Sequence, residues 1–171
     1  MITAIIQAFW LFLPAGIANM APVFFKKVPF LDTPISKKLF GEHKTYRGFF
    51  FGILMSIITI YLQKLLYPWM ANYSIIDYSS ANVLLPGFLL GFGALAGDLV
   101  KSYFKRKVGI EPGKSWVPFD QLDWVIGALI CVSFYIRLSI EITFVAVVLF
   151  GLLHPAINLI GYLFKAKKEQ F

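Results

Sequence analysis

The segment 97–123, GDLVKSYFKRKVGIEPGKSWVPFDQLD, places acidic and basic side chains between two long apolar stretches of the chain. Its aspartates are Asp98, Asp120 and Asp123. Carboxylate oxygens are ligands that Mg²⁺ prefers, and Mg²⁺ usually keeps waters or substrate phosphates in its remaining positions. The Lys and Arg residues of the segment can pair with phosphate oxygens. This composition suits a metal-bound, phosphorylated ligand at a membrane boundary.

Asp98 lies near the end of an apolar stretch in which ionisable residues are expensive and usually functional. If the helix continues past Val100, Asp98, Ser102 and Lys105 share one face at positions i, i+4 and i+7. That face offers an anion, a hydroxyl and a cation at intervals of about one turn, which suits a metal-bound phosphate chain. The alternative interpretation is an interfacial aspartate that pairs with Lys101 or Lys105.

Asp120 and Asp123 follow Pro118 and open another apolar stretch. At the N-cap and N3 positions they would stabilise the start of a helix and its dipole. The sequence supports capping and metal binding equally, and the two roles are compatible for Asp120. A zinc site is not expected, because the two histidines are isolated from one another and Cys131 has no second cysteine as partner.

Further polar groups lie in the segment 41–48, GEHKTYRG, and inside the first apolar stretch. Lys44 and Arg47 could hold the phosphates of a nucleotide or the headgroup of an anionic lipid. The alternative is an ordinary positive anchor on the cytoplasmic side. Asn19 is a costly polar group in hydrocarbon, and it either bonds another helix or lines a polar cavity.

The elements that must position these groups are transmembrane helices. The 171 residues are 58% hydrophobic with a mean hydropathy of +0.73, well above the average for soluble domains. A span needs roughly 20 apolar residues, and a spanning segment must satisfy its own backbone. The pattern predicts a single all-α integral membrane domain. Its five spans are expected at about 2–25, 48–68, 82–100, 122–139 and 140–164, with a hairpin and an ion pair at Arg137 and Glu141 dividing the last two.

The distribution of Lys and Arg residues predicts the orientation of these spans. The connections 26–47 and 101–121 and the tail after residue 164 carry all of these residues except Lys64 and Arg137. Five helices place all three basic segments on one side. We therefore expect an external N-terminus, a cytoplasmic C-terminus and two long cytoplasmic loops. The chain is expected to be a multi-pass protein of the cell membrane whose active site faces the cytoplasm.

Three segments resemble the CDP-archaeol synthases, which are small relatives of the phosphatidate cytidylyltransferases. LPAGIANMAP (13–22) is similar to the first-helix motif of the family, and GEHKTYRG (41–48) to its first cytoplasmic motif. In 97–123 the elements GD, S-Y-F-K-R, GI and P-F-D-Q-L-D follow the order of the cytidylyltransferase signature. The larger relatives have a glycine- and histidine-rich insert before the last aspartates, whereas Phe119 directly precedes Asp120 here.

The resemblance implies that a lipid phosphate attacks the α-phosphate of CTP, which gives a CDP-lipid and pyrophosphate. The implied acceptor resembles 2,3-di-O-geranylgeranylglycerol 1-phosphate. The implied Mg²⁺ ligands are Asp98, Asp120 and Asp123, which with Lys105 form the catalytic set. The residues implied to bind the nucleotide and its phosphates are Lys44, Arg47, Ser102, Arg106 and Asn19. The expected partners are CTP, the lipid phosphate and the bilayer, with no nucleic acid; a homodimer is left open.

Two other functions fit parts of the pattern. A small transporter or channel with a cytoplasmic polar vestibule could line its path with Asn19, Asp98, His154 and Asn158. A membrane scaffold could use its basic loops only to hold anionic lipid. The transporter is disfavoured, because the ionisable residues cluster at one face of the membrane and few polar groups lie deep. Thermal stabilisation that depends on CTP and Mg²⁺ would separate both alternatives from an enzyme, because neither predicts nucleotide specificity.

Overall fold

The computed structural model describes residues 1–79, 82–111 and 114–163, with side chains described as far as Leu153. The predicted basic tail after residue 164 and the side chains of His154 and Asn158 lie outside the described part. The chain is helical, and its helices are α1 (Ile2–Phe24), α2 (Lys37–Phe40), α3 (Tyr46–Met70), α4 (Leu84–Lys107), α5 (Phe119–Val132) and α6 (Ile140–Leu163). A 3₁₀ turn (Ala71–Tyr73) follows α3.

Three of these helices, α1, α3 and α4, are long and apolar enough to cross a membrane. They coincide with the spans predicted at 2–25, 48–68 and 82–100. Helix α4 continues past Val100 to Lys107, so Asp98, Ser102 and Lys105 lie on one continuous helix as expected. Large apolar side chains such as Phe9, Leu65 and Phe144 point outward from the bundle, which suits a hydrocarbon environment.

Helix α5 differs from the predicted span 122–139. It starts earlier, at Phe119, and its 14 residues end at Val132, so it is only about 21 Å long. A turn follows, in which the Ser133 hydroxyl donates to the carbonyl of Ile130. The predicted pair of Arg137 with Glu141 is not formed, although both residues are described. The Glu141 carboxylate lies instead 4.0 Å from the amino group of Met1.

Helices α4 and α5 touch through glycines, which lets their backbones approach closely. A Cβ atom added at Gly127 would lie 2.1 Å from the carbonyl oxygen of Gly93. One added at Gly97 would lie 2.1 Å from the carbonyl oxygen of Asp123. Gly97 directly precedes Asp98, so this contact brings the start of α5 against the part of α4 that carries the polar face.

Helix α1 packs against this pair and completes the core. The ring of Phe150 on α6 lies 5.0 Å from that of Trp124 on α5 and 6.1 Å from that of Phe12 on α1, measured between ring centroids. Phe12 is fully buried. Edge-on aromatic contacts of this kind stabilise beyond the area that they bury, and they hold three helices in one register.

A buried hydrogen-bonded group lies towards the C-terminal end of α3. The Gln63 side-chain amide donates to the carbonyl of Trp10 at 2.6 Å, and its oxygen accepts from the hydroxyl of Tyr78 at 3.2 Å. Gln63 and Tyr78 are almost completely buried. The loop after α3 is therefore tied into the bundle, at the opposite end of α3 from Arg47.

Candidate active site

The connection between α1 and α3 folds back on itself and places Lys44 beside α4. The backbone N–H of Ile35 donates to the carbonyl of Lys44 at 2.8 Å, next to an isolated antiparallel bridge between Pro34 and Thr45. Thr45 then caps α3 by accepting from the N–H of Gly48. Gly41 ends α2 with a φ of +90°, a conformation that side chains rarely adopt.

Arg47 fastens this connection to the bundle. Its side chain is only 8% exposed; one guanidinium nitrogen donates to the carbonyl of Val28 at 2.7 Å and another lies 2.6 Å from the Asp32 carboxylate. The predicted role of Arg47 in phosphate binding stays a prediction. The structure adds a second role, because donors of its rigid guanidinium hold the loop.

We expect Arg47→Lys to lower the free energy of unfolding by about 1–3 kcal/mol. A lysine ammonium group lacks the planar guanidinium whose two nitrogens contact the Val28 carbonyl and the Asp32 carboxylate together. Thermal unfolding in detergent measures the loss. Lys37→Met is the matched control, since the exposed pair of Lys37 with Glu42 should contribute little. Equal melting temperatures for Arg47→Lys and the unchanged protein would exclude this structural role.

The three predicted metal ligands converge on one ammonium group, that of Lys101. Its nitrogen lies 3.2 Å from Asp98, 2.8 Å from Asp120 and 2.9 Å from Asp123, measured to carboxylate oxygens. The four side chains are all largely buried. Helices α4 and α5 can bring them together because the glycine contact holds the two backbones at close range.

Two other lysines complete the cluster, which we define as Asp98, Asp120, Asp123, Lys44, Lys101 and Lys105. Lys44 forms an ion pair with Asp98. Lys105 lies 3.1 Å from Asp120 and also donates to the carbonyl of Lys114. The alternative interpretation of Asp98, pairing with Lys101, is therefore observed, and the same contact belongs to a larger arrangement of three carboxylates and three ammonium groups.

Of the two alternatives for Asp120 and Asp123, capping at the N-cap and N3 positions is not observed, although Asp120 lies in the first turn of α5, where its charge suits the helix dipole. The N-cap of α5 is Pro118, without a side-chain cap, so the helix begins one residue before Asp120. Asp120 accepts from the backbone N–H of Trp116, and Asp123 accepts from that of Trp124 at 2.7 Å. Each carboxylate therefore keeps an oxygen directed at Lys101.

The other predicted site residues lie around the cluster, on α4 and α1. The Ser102 hydroxyl donates to the carbonyl of Asp98 at 2.7 Å, so its proton is already used within α4. Arg106 donates to the carbonyl of Ile110, and its buried Nε has no hydrogen-bond partner in the described part of the chain. Asn19 is partly buried on α1.

Two cavities border the cluster, and Lys44 lines both. The larger, of about 610 Å³, has a mixed polar lining of both charges that includes Asn19, Glu42, Lys44, Arg47 and Asp98. This volume is within the range of small-molecule sites. The smaller, of about 140 Å³, is lined by the cations and the hydroxyl of α4 and by the loop before α3; these residues include Lys44, Lys101, Ser102, Lys105 and Arg106.

Lys101 is the site residue that sequence reasoning missed. The only signal for it was its i,i+3 spacing from Asp98, which suggested a local ion pair and nothing more. Its contacts with Asp120 and Asp123 depend on how α4 packs against α5, which the pattern of charges along one helix does not contain.

The donor set of the three carboxylates fits a hard divalent cation, but only after rearrangement. Within the described ranges no three His, Cys, Asp or Glu side chains are placed to hold a metal ion directly. The carboxylate oxygens lie 2.8–3.2 Å from the Lys101 nitrogen, whereas Mg²⁺ binds oxygen at about 2.0–2.1 Å. Metal binding thus requires Lys101 to leave and the oxygens to close in by about 1 Å.

Comparison with known proteins finds similarity over the whole chain. The family described as CarS-like CDP-archaeol synthase matches residues 1–171. The CDP-archaeol synthase of Methanosphaerula palustris is 34% identical, covering 88% of this chain and 94% of the relative. That of Pyrococcus furiosus is 32% identical, covering 95% and 96%. A solved structure of an intramembrane enzyme for archaeal membrane lipids biosynthesis has a TM-score of 0.70 at 29% identity, covering 89% of this chain and 92% of that one.

Proposed function

Because the chain belongs to the CDP-archaeol synthase family, we propose that its catalysis takes place at the cluster of three aspartates and three lysines. The protein is a CTP-dependent cytidylyltransferase that converts a membrane lipid phosphate to a CDP-lipid and releases pyrophosphate. The observation that carries the placement is the convergence of Asp98, Asp120 and Asp123 within 3.2 Å of one nitrogen atom.

The reaction does not require a strong general base. A phosphate monoester has a second pKa near 6, so the attacking lipid phosphate is already anionic at neutral pH. The barrier comes from bringing it in line with a second anion, the triphosphate of CTP. Lys44 and Lys105 lie at the cavities with Arg106, whose buried Nε is an unused donor. We propose that these cations neutralise phosphoryl oxygens as the two substrates meet.

Reactions of this kind use a divalent metal, which when bound neutralises charge on the nucleotide phosphates and on the leaving pyrophosphate. We propose Mg²⁺, held by Asp98, Asp120 and Asp123, because all three ligands are carboxylate oxygens. The Ser102 hydroxyl already donates a hydrogen bond to the backbone carbonyl of Asp98, so it contributes as an acceptor or through a bound water. Asn19 and Arg47 face the larger cavity, where we place the nucleotide.

We propose that the single domain crosses the membrane five times, with the N-terminus outside and the cluster at the cytoplasmic side. Support comes from the basic residues, which gather in the two connections next to the cluster. Helix α5 is only about 21 Å long and makes a short fourth crossing, and after the turn at 133–139 helix α6 returns. This orientation gives the site access to cytosolic CTP and to a lipid phosphate at the inner surface of the cell membrane.

A direct test is transfer of label from CTP by the purified protein, with Mg²⁺ and a panel of lipid phosphates that differ in chain linkage and chain type. We expect a labelled CDP-lipid and pyrophosphate in equal amounts, with isoprenoid ether-linked 1-phosphates as the preferred acceptors. Omitting the acceptor or chelating the metal should abolish transfer. Lack of product with every acceptor would contradict the activity, whereas preference for acyl esters would contradict only the proposed acceptor.

A further inference from the structure

The position of Lys101 in the cluster is that of a cation with several anionic ligands. Its ammonium nitrogen contacts Asp98, Asp120 and Asp123 at 2.8–3.2 Å, and its side chain is 14% exposed. The other two lysines each contact only one of these carboxylates. Lys101 thus stands where the three ligand oxygens would otherwise surround a metal ion.

Charge balance explains why the metal-free protein needs this lysine. Asp98 also pairs with Lys44, and Asp120 with Lys105, but the ion-pair partner of Asp123 in the described part of the chain is Lys101 alone. The Asp123 side chain is 5% exposed. Leaving a buried carboxylate without its partner is strongly destabilising, so Lys101 stabilises the ligand cluster before any metal arrives.

A metal ion and the Lys101 ammonium cannot occupy this position together. A divalent ion at about 2.1 Å from the same oxygens would lie almost at the lysine nitrogen and repel it. The displaced ammonium group needs another anionic partner. The smaller cavity next to it is lined by three further cations, those of Lys44, Lys105 and Arg106. The carboxylate in its lining, that of Glu42, lies 3.4 Å from the Lys37 ammonium group and is already paired.

We infer that Lys101 acts as a built-in substitute for the metal, so that the metal enters only together with a nucleotide. This inference rests on the proposed site. The phosphate oxygens of the nucleotide supply the partner that the displaced ammonium group requires, and the long, flexible lysine side chain can turn towards them without a backbone movement. Lys101 is then a positioning residue that exchanges carboxylates for phosphate during each turnover.

The test measures metal binding without lipid and without turnover. Thermal unfolding is recorded with Mg²⁺ alone, CTP alone and both, for the unchanged protein and for Lys101→Met, a neutral side chain of similar length. In the unchanged protein we expect stabilisation by Mg²⁺ only when CTP is present. Lys101→Met should unfold at a lower temperature without ligand and be stabilised by Mg²⁺ alone. Its half-saturating Mg²⁺ concentration should be at least about tenfold lower, a shift within the usual range of coupled sites.

Two controls separate this role from a general effect of charge. Lys101→Arg keeps the cation and should show no response to Mg²⁺ alone. Lys114→Met removes an exposed lysine that pairs loosely with Glu111 and should behave as the unchanged protein. A folded Lys101→Met that ignores Mg²⁺ without CTP would overturn the inference.

Direct binding of Mn²⁺, followed by electron paramagnetic resonance on the unchanged protein, keeps the test independent of how well the variant folds. We expect Mn²⁺ uptake with CTP and at least tenfold weaker uptake without it. Equal uptake in both conditions would refute the substitution. Failure of the proposed function is distinct: it would appear as absence of labelled CDP-lipid in the transfer assay, whatever the metal response.

Discussion

Asp98→Asn is expected to lower the rate of cytidylyl transfer by more than about 100-fold, because even a partner of a metal ligand typically contributes 10–100-fold. Asp98 lies at the meeting point of the larger cavity, Lys44 and Lys101. Asparagine keeps the size of the side chain but removes the charge that both lysines and the metal require. The measurement is the initial rate of label transfer from saturating CTP to a saturating lipid phosphate.

The fold of this variant has to be checked separately, since two buried lysines lose an anionic partner. Thermal unfolding without ligand shows whether the variant is folded, and Asp98→Glu tests whether charge alone is sufficient. Asp77→Asn is the matched control, because Asp77 accepts hydrogen bonds from Tyr67 and Ser79, at the end of α3 opposite Arg47. A folded Asp98→Asn protein with near-normal turnover in Mg²⁺ would remove Asp98 from the metal site. The same reasoning applies to Asp123→Asn.

Gly127→Ala should lower the transfer rate by about 100-fold and reduce stability, although it adds a single methyl group. The new Cβ atom would lie 2.1 Å from the carbonyl oxygen of Gly93 and 2.9 Å from the Cα atom of Gly97. Both are backbone atoms, so no side-chain rotation relieves the clash and α5 must move away from α4. Overpacking of this kind typically costs 1–3 kcal/mol and occasionally more.

The effect on the rate follows from the geometry of the cluster. Separating α4 and α5 by about 1 Å moves Asp120 and Asp123 away from Asp98, and a misplacement of that size can cost about 100-fold. Transfer rate and thermal unfolding are measured together. Gly16→Ala is the matched control, because its Cβ atom would lie 3.6 Å from the Trp124 ring, an ordinary contact. If Gly127→Ala and Gly16→Ala behave alike, the close approach of the two helices is not essential.

Much of the helical layout was predictable, because an apolar run of sufficient length has to satisfy its own backbone in hydrocarbon. This argument places α1, α3 and the apolar part of α4. It does not place the continuation of α4 to Lys107, which was only the condition for the shared face of Asp98, Ser102 and Lys105. It does not place the end of α5. The charge that signals a break in the apolar run, Arg137, comes five residues after the helix ends at Val132, and a serine-containing turn fills the interval.

The site was predictable in composition and less so in geometry. The residue types indicated which carboxylates to group, and the fold brings Asp98, Asp120 and Asp123 together. The contact of Asp123 with Lys101 arises because Gly97 and Gly127 let two backbones touch, which is a tertiary property. The structural use of Arg47 depends in the same way on the path of a loop, which places Val28 and Asp32 beside it.

The buried hydrogen bonds of Gln63 restrict the side of the bundle from which reactants enter and products leave. They lie about 24 Å along α3 from Arg47, where Tyr78 and Trp10 close the far end of the bundle. A carrier would have to break these bonds in every cycle. With the reaction at the proposed cluster, pyrophosphate leaves on the side of the bundle where CTP binds, so it competes with the next nucleotide for the same site. How far the enzyme drives its lipid substrate to completion then depends on a separate hydrolysis of pyrophosphate in the same compartment.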